Sequence, residues 1–200
     1  MTPTVYIIDD DRMARESLKW LIESASLAVK EFQSGLDFLE QVTTSMPGCI
    51  LLDVRMPDIN GMELHTQLKL REIELPVIIV TGHADVAMAV RAMKAGAYDL
   101  IEKPYSDSLM LELVQRAIDA DSKNRRDKSY IRDIKSRAEQ LTPREKEVMQ
   151  FVINSTQNKI ISAELGISIK TVELHRANLM NKMQAKTSTE LVRLALMAKL

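Results

Sequence analysis

The chain has 200 residues and a mass of 22.6 kDa, which is enough for two domains of ordinary size. Hydrophobic residues make up 46% and charged residues 28%, a composition typical of a folded globular protein rather than of a disordered one. The single cysteine, Cys49, excludes a disulfide framework and a multi-cysteine zinc site. No apolar run approaches the roughly 18–20 residues that a membrane span needs, and the N-terminus lacks the basic region of a signal peptide. We therefore expect a cytoplasmic protein without a membrane partner.

The net charge of −1 conceals two parts of opposite sign. Residues 1–120 contain 11 Lys and Arg against 19 Asp and Glu, whereas residues 121–140 contain 7 against 4 and residues 141–200 contain 9 against 5. An acidic part joined to a basic part favours two domains with separate tasks. The basic part either binds a polyanion or is simply a solvated surface, and charge alone does not decide between the two.

Short apolar segments alternate with helical patterns over the first 120 residues. The predicted strands are rich in Val, Ile and Leu, as is typical of strands buried on both faces, and cover residues 5–8, 28–32, 49–52, 77–80 and 99–101. The predicted helices between them cover residues 13–23, 35–42, 62–70, 86–95 and 106–120. This alternation predicts a five-stranded parallel, doubly wound α/β sheet with helices on both faces. We expect Cys49 to be a buried thiol and Trp20 to pack within its helix.

The chain changes character after residue 120. Residues 121–140 are nearly all polar and contain no Gly or Pro, so they form either a helical connector, which we favour over residues 121–138, or a solvated coil. Four helices are predicted beyond it, over residues 143–153, 157–164, 169–183 and 187–198. Thr142, Pro143 and Glu145 have the spacing of a capping box with proline at the first helical position. A Gly-containing turn at residues 165–168 separates the second and third of these helices, which is the pattern of a helix-turn-helix.

Acidic residues follow two of the predicted strands. Asp9, Asp10 and Asp11 come directly after the first strand, and Asp53 ends the third. Strands one and three are neighbours in a doubly wound sheet, so these carboxylates should converge at its carboxyl edge. Clustered carboxylates raise one another's pKa, and Mg²⁺, which prefers oxygen ligands, relieves the repulsion. The alternative for the aspartate run is a solvated loop or a helix cap.

Two further polar residues follow the fourth and fifth strands at the same edge. Thr81 is a hydroxyl donor and Lys103 an ammonium, and together with a carboxylate-bound cation they would suit the three oxygens of a phosphoryl group. Taken singly, Thr81 is consistent with a helix cap and Lys103 with a surface lysine. Their joint placement is what indicates a site.

Four motifs over residues 3–120 resemble those of the receiver domain of bacterial two-component response regulators. In chain order they are IIDDD at 7–11, LLDVRMPDING at 51–61, VTGH at 80–83 and EKP at 102–104. The resemblance implies that residues 1–120 form a receiver domain and that a sensor histidine kinase transfers a phosphoryl group to Asp53. It also implies a phosphate acceptor rather than an enzyme, with at most slow self-dephosphorylation.

The same resemblance implies roles for the other polar residues of this edge. Mg²⁺ would be held by three ligands, namely Asp10, Asp53 and the backbone carbonyl of Arg55. Asp9 would assist from behind these ligands or through a water molecule. Thr81 would bind a phosphoryl oxygen, and Lys103 would pair with the phosphate. Relatives often carry Tyr or Phe three residues before this lysine, where the present chain has Leu100, so the resemblance does not extend to an aromatic switch.

Residues 139–200 resemble the LuxR-type helix-turn-helix domain of the FixJ/NarL class. The matching motifs are LTPRE at 141–145, NKII at 158–161, LGIS at 165–168 and TVELHR at 171–176, and residues 87–96 and 102–104 resemble the FixJ subfamily in particular. This similarity implies that the helix starting near Ile169 enters the major groove of double-stranded promoter DNA. Its core stripe would be Ile169, Val172, Leu179 and Met183.

The remaining faces of this helix carry the candidate DNA contacts. Those expected near bases are Lys170, Glu173, Leu174 and Ala177. Those expected mainly beside phosphates are Thr171, His175, Arg176, Asn178 and Lys182. Glu173 either reads a cytosine amino group or faces solvent, and His175 either contacts DNA or packs in the domain.

The combined hypothesis is a transcription factor controlled by phosphorylation. Phosphorylated chains would form a homodimer, bind two half-sites and act on RNA polymerase. One rival is a receiver that is only a constitutive interaction module, but this predicts the loss of residues such as Asp53 and Lys103. A second rival is a Mg²⁺-dependent phosphatase with an aspartate nucleophile, whose two-residue spacing Asp9 and Asp11 formally fit. The surroundings of Asp53 and the basic C-terminal part disfavour it.

Overall fold

The computed structural model describes residues 2–82 and 85–200, so His83 of the VTGH motif lies outside the described residues. The chain divides into two compact units, Met1–Asn124 and Arg125–Leu200. Over the ranges described, no helix is both long enough and apolar enough to cross a membrane.

The first unit is built on one parallel sheet of five strands, in the order β2-β1-β3-β4-β5. The strands are β1 (Thr4–Ile8), β2 (Ala28–Phe32), β3 (Gly48–Asp53), β4 (Val77–Thr81) and β5 (Asp99–Glu102). Every residue of β3 and β4 is buried, because these central strands are covered on both faces. The predicted doubly wound sheet is confirmed, and so is the pairing of strands one and three.

Helices cover both faces of this sheet. They are α1 (Arg12–Ser24), α2 (Gly35–Gln41), α3 (Gly61–Leu70), α4 (Val86–Lys94) and α5 (Asp107–Glu139). One apolar layer joins the sheet to residues of α2, α3 and α4, and the other joins it to residues of α1 and of the first part of α5. Each strand therefore contributes alternate side chains to two separate cores.

Two single-residue expectations have opposite outcomes. Cys49 is fully buried, as expected, and burial raises the pKa of its thiol to about 12. Trp20, in contrast, is 77% exposed, so the expectation that it packs within its helix is wrong. The buried face of α1 is formed by Leu18 and Ile22. Trp20 is two residues away from both Leu18 and Ile22. At about 100° per residue, this separation places Trp20 on the opposite face of the helix.

The helix α5 runs without interruption for 33 residues. The Ser106 hydroxyl accepts a hydrogen bond from the backbone N–H of Leu109 at 3.3 Å, in the manner of an N-cap. Residues 121–138 lie inside this helix. Its early residues pack in the first unit, and Ile131, Ile134 and Ala138 belong to the apolar core of the second.

The second unit is helical beyond α5. Its further helices are α6 (Pro143–Ile153), α7 (Asn158–Leu165), α8 (Ile169–Met183) and α9 (Ser188–Ala198). The predicted capping box at the start of α6 is present, and Gly166 is the C-cap that follows α7, with a φ of 63° that favours glycine.

The core stripe predicted for α8 is right at three positions and wrong at one. Val172, Leu179 and Met183 are fully buried, but Ile169 is 44% exposed. Ile169 is the first residue of the helix, after the N-cap Ser168. Ile167, just before the cap, packs against the core that contains Val172. Ile167 and Val172 stand at the N′ and N4 positions, which are the positions that a hydrophobic staple joins. Ile167 therefore makes a core contact from before the helix, whereas Ile169 does not belong to the core.

Candidate functional site

Asp9, Asp53 and Lys103 meet at the carboxyl edge of the sheet. The Lys103 Nζ lies 2.8 Å from Asp9 Oδ2 and 3.0 Å from Asp53 Oδ1. Asp9 follows β1, Asp53 ends β3 and Lys103 follows β5, so three strands bring the charges together. Both carboxylates are buried, at 3% and 9% exposure, whereas Lys103 is half-buried. The convergence that the strand ends predict is present in the structure.

Backbone groups fix the orientation of both carboxylates. Asp53 Oδ2 accepts a hydrogen bond from the N–H of Arg55 at 2.7 Å, and Asp9 Oδ1 accepts one from the N–H of Asp11 at 2.9 Å. The side chain of Arg15 donates to the backbone carbonyl of Asp9 at 2.6 Å. The sequence reasoning missed Arg15. Its only sequence signal is its place one turn into the helix that follows the aspartates.

A glycine allows the chain to pass close behind Asp53. Gly61 begins α3, and a Cβ added there would lie 2.2 Å from the carbonyl oxygen of Asp53. Its own N–H donates to the carbonyl of Val54 at 2.9 Å. Any side chain at this position would push the start of α3 away from the end of β3.

The three consecutive aspartates occupy different environments. Asp9 is buried, while Asp10 and Asp11 are exposed. Asp11 is the N-cap of α1, where its side chain accepts hydrogen bonds from the N–H groups of Met13 and Ala14. The helix-cap alternative therefore holds for Asp11 alone. The structure brings Asp9 rather than Asp10 into direct contact with Lys103.

Burial and charge shift the pKa values at this edge. Burial raises the pKa of Asp53, and the nearby charge of Asp9 raises it further. The bonds from Lys103 and from the Arg55 N–H offset only part of this increase. Burial alone would lower the pKa of Lys103, but its bonds to Asp9 and Asp53 outweigh burial and raise it. Lys103 is therefore firmly protonated, whereas Asp53 takes up a proton more readily than an exposed aspartate.

The structure places Thr81 at the end of β4, 2% exposed, with its carbonyl accepting a hydrogen bond from the N–H of Lys103 at 2.8 Å. Leu100 packs against the core shared with α2, α3 and α4, and Tyr98 packs against the opposite core. The position three residues before Lys103 is therefore aliphatic and partly buried, and the nearby tyrosine lies on the other side of the sheet.

The donor set at this edge fits a hard divalent cation. Its carboxylate groups belong to Asp9, Asp10 and Asp53, and the backbone carbonyl of Arg55 is the further oxygen ligand that we predict. Within residues 2–82 and 85–200, no group of three or more His, Cys, Asp or Glu side chains could hold a metal ion by itself. Mg²⁺ does not need such a group, because it is usually bound through one or two carboxylates and keeps several water molecules. An all-oxygen set with few protein ligands therefore suits Mg²⁺ better than a softer metal.

In the second unit, α8 carries an exposed face of mixed polarity. Four residues predicted to lie near bases are exposed there, namely Lys170, Glu173, Leu174 and Ala177. Leu174 is 60% exposed, so an aliphatic side chain is available on this face. Among the residues predicted beside phosphates, Asn178 is exposed and His175 is half-buried. The Thr171 hydroxyl hydrogen-bonds with that of the N-cap Ser168 at 2.8 Å.

Two cationic side chains of α8 already have partners within the unit. Arg176 donates to Asn158 Oδ1 at 2.9 Å and to Ser188 Oγ at 3.1 Å. Lys182 donates to the buried carboxylate of Glu145 at 2.7 Å. A DNA phosphate would have to compete with Glu145 for Lys182, whereas the partners of Arg176 are neutral. Sequence spacing along one helix gave no signal for these contacts between helices.

Comparison with known families assigns both parts of the chain. Residues 5–115 match the family model described as response regulator receiver domain. This chain belongs to the response regulator family. Residues 139–195 of the response regulator match a second model, described as bacterial regulatory proteins, luxR family.

Relatives align with the response regulator over nearly its whole length. It is 41% identical over 194 residues to the transcriptional regulatory protein FixJ of Bradyrhizobium diazoefficiens, an alignment that covers 97% of the chain and 95% of the relative. It is 43% identical over 193 residues to FixJ of Rhizobium meliloti, covering 96% and 95%. Among solved structures, that of the response regulator StyR matches with a TM-score of 0.89 at 36% identity, covering 98% of this chain and 99% of the other. Full-length FixJ from B. japonicum matches with a TM-score of 0.59 at 40% identity, covering 100% and 98%.

Proposed function

We propose that this response regulator is a transcription factor of a two-component system, switched by phosphorylation of Asp53. A sensor histidine kinase is the phosphoryl donor, and promoter DNA is the target of the C-terminal domain. The observation that carries the proposal is the position of Asp53, which is held at the end of β3 with one oxygen 3.0 Å from Lys103 Nζ. In domain terms, residues 1–120 act as the receiver, 121–138 as a linker and 139–200 as the DNA-binding domain, all in the cytoplasm.

In the transfer step, a carboxylate oxygen of Asp53 attacks the phosphorus of the kinase phosphohistidine. The new O–P bond forms as the P–N bond breaks, and the electron pair of that bond stays on the imidazole nitrogen. Asp53 must be ionised to attack, so the bonds that it accepts from Lys103 and from the Arg55 N–H assist by favouring its charged form. Lys103 and the Thr81 hydroxyl then hold the oxygens of the transferred group.

The residues that would hold Mg²⁺ are Asp10, Asp53 and the carbonyl of Arg55, with Asp9 behind them. When bound, the cation neutralises negative charge that develops on the phosphoryl oxygens. Asp9 is buried and already hydrogen-bonded to Lys103, which favours a place behind the direct ligands rather than among them. The adjacent Asp10 is exposed, so its carboxylate can replace a water molecule in the coordination shell of the cation, which favours a role as a direct ligand.

The downstream steps follow the same proposal. Phosphorylation favours a homodimer, and two C-terminal domains then bind two half-sites of double-stranded DNA and act on RNA polymerase. The exposed face of α8 enters the major groove, with Lys170, Glu173, Leu174 and Ala177 next to base edges. Sedimentation before and after phosphorylation tests the dimer: a mass that stays monomeric while DNA affinity rises would remove this step.

Labelling with acetyl phosphate tests the acceptor directly. In the presence of Mg²⁺, the wild-type chain should be labelled and the Asp53→Asn variant should not. Asp58→Asn is the matched control, because Asp58 lies in the following loop and caps α2 through Ser34 and Leu36 rather than facing Lys103. Equal labelling of Asp53→Asn and wild type would remove Asp53 from its role. Sustained turnover of a small phosphate ester would instead favour the phosphatase rival.

A further inference from the structure

Arg176 lies in a cleft where four helices of the second unit meet. The cleft is lined by residues from the end of α6 to the start of α7, from α8 and from the start of α9: Val152, Ser155, Thr156, Gln157, Arg176, Ser188, Thr189 and Val192. Its polar lining consists of hydroxyls, an amide and one guanidinium. No carboxylate is part of the lining that the structure describes.

The guanidinium of Arg176 is held from two sides by neutral groups. Asn158, the first residue of α7, accepts from Nη1 at 2.9 Å, and Ser188, the first residue of α9, accepts from Nη2 at 3.1 Å. Over the described part of the chain, Arg176 has no carboxylate partner, in contrast to Lys182, which pairs with Glu145. The positive charge of Arg176 is therefore positioned by hydrogen bonds but not neutralised.

The surroundings add to this positive charge. The N-terminal ends of α7 and α9 both reach the guanidinium, and each helix N-terminus carries partial positive charge. At α7 the N-cap Gln157 makes no capping hydrogen bond with its side chain. A guanidinium directed at two positive helix ends, in a cleft without a carboxylate, is an arrangement that an anion would stabilise.

We propose that Asn158 and Ser188 are positioning residues, which fix the Arg176 guanidinium so that it binds one backbone phosphate of DNA. The inference rests on the proposed function, because it takes the anion to be DNA rather than a free phosphate. Arg176 is on α8, the helix that presents Lys170 and Leu174 on its exposed face. In helix-turn-helix complexes the phosphates that flank the groove lie beside this helix and fix its register. Holding the guanidinium in advance spares the ordering of a flexible side chain on binding.

The test uses the full chain, treated with acetyl phosphate and Mg²⁺, and a duplex selected from random sequences. In a series of duplexes, each phosphate in turn is replaced with a neutral methylphosphonate. At one phosphate per half-site this change should weaken wild-type binding about tenfold, since hydrogen bonds to charged groups are lost. The same replacement should change the affinity of the Arg176→Gln variant less than twofold. On the unmodified duplex, the slope of log affinity against log salt concentration should be smaller in magnitude for this variant than for the wild type, by about 1 per half-site. Arg193→Ala is the control, because it removes an exposed charge of α9 outside the cleft and should leave that phosphate effect intact.

The positioning role is tested by a double-mutant cycle. Asn158→Ala should weaken binding roughly threefold or more in the wild-type background and less than twofold in the Arg176→Gln background. Ser188→Thr, which keeps the hydroxyl, should bind like wild type, whereas Ser188→Ala should not. If Asn158 and Ser188 only stabilise the fold, the losses in DNA affinity of Asn158→Ala and Arg176→Gln should add, and no single methylphosphonate should lose its effect in Arg176→Gln. That result would overturn the inference. If the wild type binds no duplex in a salt-dependent way, the proposed function itself fails.

Discussion

Replacing Glu145 with alanine removes a carboxylate that stabilises two helices of the second unit at once. Glu145 Oε2 accepts a hydrogen bond from the backbone N–H of Thr142 at 2.8 Å, which is half of the capping box that starts α6. The same oxygen accepts one from Lys182 Nζ at 2.7 Å, near the end of α8. Lys182 also donates to the carbonyl of Gln140 at 3.3 Å. Glu145→Ala thus removes one of the two capping-box hydrogen bonds of α6, keeps the one from the backbone N–H of residue 145 to Thr142 Oγ1, and leaves Lys182 without its carboxylate.

The expected loss follows from these two contacts. Loss of a capping interaction costs about 1 kcal/mol, and loss of a hydrogen bond to a charged group costs about 2 kcal/mol. Because Glu145 is only 3% exposed, water does not replace the missing partner efficiently. We therefore expect the free energy of unfolding of the second unit to fall by about 3 kcal/mol. For a domain of this size, the melting temperature should then fall by more than about 10 °C.

Hydrogen exchange of the full chain, read by mass spectrometry, measures this loss separately in the two units. Amides of α6 and α8 should exchange at least tenfold faster in Glu145→Ala, whereas those of the sheet should not change. Glu147→Ala is the matched control, since Glu147 lies on the same helix and its bond to Arg144 is largely exposed. It should cost under about 1 kcal/mol. Equal losses in the two variants would refute the reasoning.

The pH dependence gives an independent check on the same contact. Burial opposes ionisation of Glu145, but the bonds from Lys182 and Thr142 outweigh it and lower the pKa of the carboxyl. A carboxyl with a lowered pKa in the folded state contributes stability above its ordinary pKa, and this stability is lost as the pH falls through the folded value. The difference between wild type and Glu145→Gln should therefore be constant near neutrality and shrink in acid.

Four further predictions concern the first unit. Asp121→Ala removes the acceptor of a buried backbone N–H of β3, 2.9 Å away, and should lower the free energy of unfolding by about 1–3 kcal/mol in denaturant titrations. Gly61→Ala, which places a Cβ against the carbonyl of Asp53, should cost a similar amount and slow acetyl phosphate labelling. Cys49 should resist alkylation at pH 8 until the chain is unfolded, because burial raises its pKa. Asp9→Asn should move the acid limb of the labelling rate of Asp53 to lower pH, since the charge of Asp9 raises that pKa; an unchanged limb would contradict this.

The strand and helix pattern of the first unit was predictable because burial on both faces of a parallel sheet leaves a strong signal. Runs such as those of β3 and β4 are apolar at nearly every position, and the connecting helices show a regular apolar face. The errors arise where the burial of a residue depends on its neighbours in space rather than on its spacing in the sequence. Trp20 is hydrophobic, yet it lies on the outer face of α1. Ile169 has the right spacing for the core, yet it is exposed, and Ile167 from before the helix packs against the core.

The meeting of side chains from several strand ends at one edge of the sheet was predictable, but the individual contacts among them were not. The ends of β1, β3, β4 and β5 share one edge of the sheet, so the convergence of Asp53, Thr81 and Lys103 follows from topology. Which of the adjacent aspartates turns inward does not, because successive residues after a strand point in different directions. The side-chain partners of Arg176 and Lys182 come from other helices, at separations of 12 to 37 residues, and no local pattern encodes such pairs.

The difference between Asp9 and Asp10 has a consequence for how the site can respond to phosphorylation. Asp9 and Asp53 share Lys103, so one ammonium offsets part of the charge of two buried carboxylates. A phosphoryl group on Asp53 adds negative charge where burial already opposes it. Under the proposed phosphorylation, the single ammonium of Lys103 would be shared among the phosphoryl group, Asp53 and Asp9, which leaves more negative charge uncompensated. A cation held at the exposed Asp10, as proposed, would supply positive charge beside the two buried carboxylates.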